Sequence, residues 1–222
     1  MRQSLGRGAI SSIPPWYPDW SGCVAAIIAS GPSAKKTDVS ILSRKSRVKT
    51  IAIKESHHLC KPDVIYGCDA HWWRHNIGLP DFSGIRVAYD KSLREQFPNI
   101  RLIDIATPID KVLLEPTGQI GSGGNSGFQA LNLAIQFGAR LILLVGFDMH
   151  DKSGVHWYGR NNWPQANNPG EPNFQRWRQA FKVSAPIIAN AGVDVVNVTR
   201  YSELKCFRFL PSIEVAMAEW KM

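Results

Sequence analysis

Long apolar runs are missing from this 222-residue chain. The longest, Cys23 to Ala29, has the length of a strand and falls far short of the roughly 18 residues that a membrane-spanning helix needs, so no membrane span is expected. Cysteine is scarce. Cys23, Cys60, Cys68 and Cys206 form no C-x-x-C pair, which argues against a zinc ribbon or a dithiol redox site and fits buried free thiols. No apolar stretch precedes Pro14 and Pro15, so a secretory signal is not expected and the reading is a cytoplasmic protein. The phosphate-binding Gly-Lys-Ser/Thr of a Walker loop is absent, and Ser126 stands where the third glycine of G-x-G-x-x-G would fall. Internal repeats and low-complexity tracts are absent too. Acidic residues are outnumbered, 18 against 26 basic, leaving a net charge of +8. Such a balance suggests an anionic partner: a nucleic acid, a nucleotide-activated small molecule or an anionic glycan. The basic residues are mostly scattered. Only Arg44, Lys45, Arg47 and Lys49, and then Arg176, Arg178 and Lys182, stand close together, and each group reads first as a solvated face.

What is present is a succession of apolar strand patterns separated by helical ones, centred on the stretch from Gly118 to Asp151. There a glycine-rich turn leads into a helix with apolar residues at Phe128, Leu131, Leu133, Ala134, Ile135 and Phe137. Gly138 closes that helix, and Leu141 to Val145 follow as a strand buried on both faces. Further strands are expected at Val24 to Ala29, Val48 to Ile53, Val64 to Tyr66, Ile85 to Tyr89, Ile100 to Ile105 and Val193 to Val198. A helix is expected from Phe174 to Asn190, kinked at Pro186, and a short terminal one is expected to open at Pro211. The fold class is therefore α/β: a doubly wound, mostly parallel sheet with helices on both faces. Residues 1–20, with Trp16, Tyr17 and Trp20, read as an irregular arm that packs by its aromatics. Residues 21–222 read as one domain, interrupted by a lid-like loop at about 149–172, longer than a routine connector.

In such a fold, ligands sit at the carboxyl ends of the strands. Four segments meet that description: Ser30 to Ser33, Tyr66 to His71, the glycine turn Gly121 to Gly127, and Asp148 to His156. Gly31 with Ser33, and Gly127 with Ser126, offer backbone and hydroxyl donors at helix starts, where an anion such as phosphate is favoured; ordinary helix capping is the competing reading. Asp69 suits a helix cap, a ribose contact or a metal ligand. Asp148, His150 and Asp151 form a D-x-H-D cluster with oxygen and imidazole donors, and Asp148 suits loop bracing equally well. His156, on a polar loop, has the chemistry of a general base. The run His71, Trp72, Trp73, Arg74, His75 offers stacking surfaces beside cations, or else core tryptophans. His57 and His58, adjacent on an extended segment, should point to opposite faces.

The pairing of IIASGPSAKKTDVSIL with GSGGNSGFQALNLAIQFGARLILLVGFDMHD and then GVHWYG resembles the family-42 bacterial sialyltransferases. It also resembles the wider Rossmann-type group that includes the MptE-like pterin pyrophosphokinases, and a set of phage-borne proteins. In the sialyltransferases a G-N-G-P-S loop holds the nucleotide; here it reads Ala29-Ser30-Gly31-Pro32-Ser33. Their T-S-G turn corresponds to Asn125-Ser126-Gly127, and their G-I-D to Gly146-Phe147-Asp148. Their catalytic histidine, in H-Y-x-G, corresponds to His156, with Trp157 in place of the tyrosine. His150 falls where one of two tyrosines steadies the departing phosphate, and no second tyrosine precedes His156. The resemblance implies transfer from a nucleotide-activated sugar, of the CMP-sugar kind, to a glycan or other acceptor hydroxyl, with His156 as base and no metal required. The nucleotide would be held by Ser30, Gly31, Ser33, Asp69, Asn125, Ser126, Gly127, Asp148 and His150. Two alternatives stay open: a magnesium-dependent pyrophosphokinase-like enzyme using Asp69, Asp148 and His150, and a non-catalytic phage protein that binds nucleic acid, acting in the host cytoplasm.

Overall fold

The computed structural model describes residues 13–221. Along the chain run β1 (Val24–Ile28), β2 (Val48–Ile53), β3 (Val64–Tyr66), α1 (Ala70–His75), β4 (Ile85–Ala88), β5 (Ile100–Leu102), β6 (Asp104–Ala106) and β7 (Gln119–Gly121). Then follow α2 (Ser126–Gln136), β8 (Leu141–Val145), α3 (Glu171–Asn190), β9 (Asp194–Asn197), β10 (Arg208–Phe209) and α4 (Ile213–Glu219). Eight strands form one sheet in the order β10-β9-β8-β1-β2-β3-β4-β5, every pair parallel, while β6 and β7 pair separately. The chain winds outward from β1 through β5, then returns to lay β8 on the other side of β1. That reversal makes the β1/β8 junction the switch point, where a crevice opens outside the strand ends.

Side-chain alternation along β1 explains the two layers. Ala25 and Ile27 join Ile142 and Leu144 of β8 under α2 and α3, against Phe128, Leu131 and Phe181. Val24, Ala26 and Ile28 point the other way, to Leu143, Val145 and the α4 residues Ile213, Ala216 and Met217. Each fully buried Ile, Leu or Phe side chain contributes about 1.5–3 kcal/mol. All of α2 is buried, including Gln129, Asn132 and Gln136, because their amides bind the chain between Leu113 and Ser122. Tyr66 on β3 donates its hydroxyl to Gln129 at 2.9 Å. Around Phe137, at the end of α2, Tyr17 and Trp20 pack edge-on at 4.9 and 5.0 Å, and Trp16 at 6.2 Å. Residues 1–12 of the expected arm lie outside the described residues.

Several elements differ from the sequence expectation. Ile100 to Ile105 is two strands in two sheets: the Ile103 amide donates to Ala88 in β4, and the next amide, Asp104, donates to Gly118 beside β7. The glycine-rich turn thus begins with a short strand. α3 starts at Glu171, before the expected Phe174, and continues through Pro186 to Asn190. The terminal helix is capped by the Ser212 hydroxyl, which accepts from Val215, with Pro211 outside it. His57 and His58 lie on a tight helical turn, not a strand, with ring centroids 3.9 Å apart. Trp72 and Trp73 are fully buried, their indoles donating to Glu55 and to the Gly67 carbonyl, so they are core and not a stacking surface.

Candidate functional site

At the switch point, the loops after β1, β2, β3 and β8 and the start of α2 enclose a cleft of about 420 Å³. Ser30, Gly31, Asp69, Asn125, Ser126, Gly127, Asp148, His150 and His156 all line it. Ser33 does not. Its hydroxyl donates to Asp148 Oδ2 at 2.7 Å and its amide to Oδ1 at 3.2 Å, so Ser33 reaches the cleft only through Asp148. Burial pushes the Asp148 carboxyl above its ordinary range, and the Ser33 bonds pull the other way. Gly31 lies so close beneath that a Cβ there would stand 2.0 Å from Asp148 Oδ2 and 2.4 Å from the Gly146 carbonyl oxygen.

Asn125 caps α2: its Oδ1 accepts from the Phe128 amide at 2.8 Å, and its Nδ2 donates to Gly123 at 3.0 Å. The Ser126 hydroxyl accepts from the Cys68 amide at 3.2 Å, tying the helix start to the loop after β3. A side chain at Gly127 would meet Phe147 at 2.9 Å, which lets this end of α2 press onto the end of β8. First-turn amides have no intrahelical acceptor, so this end carries the partial positive charge that suits a phosphate.

The loop from Gly146 to Gly170 is fastened over the cleft by specific bonds. The Trp157 amide donates to the Ser30 carbonyl at 2.9 Å, and its indole to Ser56 Oγ at 3.2 Å. Asn161 and Asn168 exchange hydrogen bonds, and Trp163 is buried with Trp72 and Trp73. His150 Nε2 meets the Tyr201 carbonyl at 3.1 Å while its Nδ1 accepts from the Lys152 amide at 3.1 Å. That pattern places the proton on Nε2 and commits both nitrogens, so His150 braces the loop rather than offering a free ligand atom. Among the described residues, no three His, Cys, Asp or Glu side chains gather as a metal-binding group, and the trio Asp69, Asp148 and His150 does not form one.

His156 stacks on Tyr158 at 5.0 Å, and its Nδ1 lies 3.0 Å from Ser30 Oγ. Its Nε2 is buried and has no hydrogen-bond partner among the described residues. Burial, then the charges of Lys54 and Arg160, lower its pKa to about 4, with Asp69 and Ser30 opposing. The ring is thus neutral well below pH 7. Since an unfolded histidine titrates near about 6.5, the unfolded chain binds more protons in the window from there down to about 4, and stability is lost as pH falls through it. Between pH 7 and pH 4.5, unfolding in urea should show a loss of stability larger in the wild type than in H156N by on the order of 2–3 kcal/mol. Equal losses in both proteins would sink the assignment.

Sequence reading missed Lys54, Asn173 and Trp177, which also line the cleft. Lys54 directly follows β2 at the start of a tight helical turn, with φ of 47°, and is only 8% exposed, its ammonium 2.5 Å from Asp69 Oδ2. A lysine directly after an apolar strand end was the available signal.

No protein-family model and no curated protein matches the sequence. Among solved structures, the chain is similar to the sialyltransferase CstII from Campylobacter jejuni in complex with a substrate analogue, cytidine-5'-monophosphate. The TM-score is 0.55 at 13% identity, over 86% of this chain and 85% of that one. At this identity the likeness is one of fold, and the chain has a sialyltransferase-like α/β fold with a mostly parallel sheet.

Proposed function

We propose that the protein transfers a sugar from a nucleotide-activated donor, of the CMP-sugar kind, to an acceptor hydroxyl, with His156 as general base. The observation that carries this reading is the His156 ring: one nitrogen engaged by Ser30, the other without a hydrogen-bond partner among the described residues, in a cleft that a helix start also lines. In the tautomer where Nδ1–H donates to Ser30 Oγ, Nε2 holds the lone pair that accepts a proton. The acceptor oxygen loses its proton to Nε2 and bonds to the anomeric carbon as the carbon–oxygen bond to the phosphate breaks. The electron pair of that bond leaves on the nucleotide monophosphate, near the α2 amides, which favour the negative charge. Ser30, Gly31, Asn125, Ser126 and Gly127 supply the nucleotide walls, Asp148 with Ser33 fixes the β1 and β8 loops against each other, and His150 holds the lid. Asp69 contributes through its ion pair. Because Nε2 is buried, the acceptor reaches it only when the 146–170 loop shifts.

A bound nucleotide stabilises the native state. CMP at about 100 times its dissociation constant should raise stability by about 2.7 kcal/mol, read as a higher melting temperature. AMP and uncharged sugars at the same concentration should do much less. Absence of any shift with CMP, CDP or CMP-sugars would overturn this reading.

A further inference from the structure

We infer that Lys54 is the cation that receives the donor's phosphate, exchanging Asp69 for the phosphate oxygens when the nucleotide binds. This deepens the nucleotide-sugar reading and rests on it. An ammonium carries three N–H donors. Among the described residues Asp69 is its one hydrogen-bond acceptor, so donors remain to spare on a side chain that lines the cleft. The lysine is held for that position. Its stem passes Gly67, where a Cβ would come within 3.3 Å of Lys54 Cγ, and its ammonium lies 5.3 Å from the Trp163 ring centroid. Its backbone sits in the left-handed region, which an L side chain rarely adopts and which strand formation does not require. A nearly buried cation balanced by one carboxylate is poorly satisfied, whereas Asp69 keeps 45% of its side chain exposed and can return to water. The exchange therefore releases the partner that solvent accepts most readily. His150, which also lines the cleft, has both ring nitrogens committed to the Tyr201 carbonyl and the Lys152 amide, so it does not compete with Lys54 for the phosphate charge.

Lys54 also acts on His156. The groups that bear on the imidazole are Lys54 from the end of β2, Asp69 from the loop after β3, and Arg160 from its own loop, with Ser30 and Tyr158 in contact. The donor brings a further negative charge to this group while Asp69 stays nearby on the loop after β3, which favours imidazolium and makes His156 a stronger base.

Calorimetry with CMP and cytidine tests the assignment, because the two differ only in the phosphate. K54M should bind CMP about 10- to 100-fold more weakly than the wild type with cytidine unchanged, and K54R should recover much of the loss. Equal affinities of K54M and wild type for CMP would overturn it, as would an equal loss on cytidine. Should K54M not fold, the wild-type protein still decides: the Lys54 Cε–Hε resonance should move on adding CMP and stay put with cytidine, and a resonance indifferent to bound CMP rejects the contact. If the wild type binds neither nucleoside nor nucleotide, the donor reading fails on its own. Inorganic phosphate then asks about the cation alone: displacement of the Lys54 resonance by phosphate sustains the anion site, and indifference removes it.

Discussion

Replacing Gly31 with alanine should destabilise the protein by about 3–5 kcal/mol in denaturant unfolding. The backbone there, at φ −61° and ψ 154°, is one that any residue adopts, so conformational freedom is not why glycine is needed. Close approach is. An added Cβ would stand 2.0 Å from Asp148 Oδ2 and 2.4 Å from the Gly146 carbonyl oxygen, and the second neighbour is backbone that cannot rotate aside. Gly146 is itself fixed, accepting from the Gly31 amide at 3.0 Å and holding φ of 75° with Ala29 and Ala34 packed against it. Moving Asp148 instead would break its hydrogen bonds from the Ser33 amide and hydroxyl and leave a buried carboxylate unsatisfied. The double variant G31A/D148A should therefore lose less stability than the sum of the two single losses, since the first clash disappears with the carboxylate. A G31A protein within about 1 kcal/mol of wild type would show that β1 and β8 do not meet this closely.

The parts of the fold that were legible in the sequence are those decided by local pattern. β3 and β8 begin and end where their unbroken apolar runs do, at Val64–Tyr66 and Leu141–Val145, and β2 runs from Val48 to Ile53 as expected although Lys49 and Thr50 interrupt its apolar pattern. Buried parallel strands need no turn chemistry to announce them. The split at Ile103 was not legible, because the same apolar run serves two sheets and only the change of hydrogen-bond partner at Asp104 divides it. β10 was missed since Arg208 and Phe209 are exposed and form a two-residue edge. At the site, the strand-end rule groups Ser30, Gly31, Ser126, Asp148 and His156, and all five line one cleft. It could not tell that Ser33 would turn to Asp148, 115 residues away, nor that Lys54 would be buried instead of solvated. Both depend on which strands become neighbours: β8 beside β1 brings Asp148 over Gly31, and β3 beside β2 brings Asp69 to Lys54. His156 was legible as a loop histidine but not as a half-buried one, and the difference moves its pKa from near the ordinary value to about 4.

That shift changes what replacing His156 should do. If the ring takes the acceptor's proton, H156A should lower turnover about 10²–10⁴-fold, the range that positioned acid–base groups supply. H156N sharpens the test: its amide nitrogen can reach Ser30 Oγ as Nδ1 does, yet nothing replaces Nε2, so turnover should fall as in H156A while the melting temperature at pH 7 and the affinity for CMP stay near wild type. The pH profile separates base from brace. In the free enzyme the imidazole loses its proton near pH 4, so kcat/KM should rise with pH through about 4 and be flat by neutrality. With the donor's phosphate in the cleft, added negative charge favours imidazolium, so the midpoint in kcat should lie at higher pH than that in kcat/KM. In H156N both ascending limbs should vanish. A variant that keeps wild-type turnover, or the ascending limb at reduced rate, would assign the proton transfer to another group in the cleft, and Asp148, whose carboxyl is raised by burial, is the next to replace.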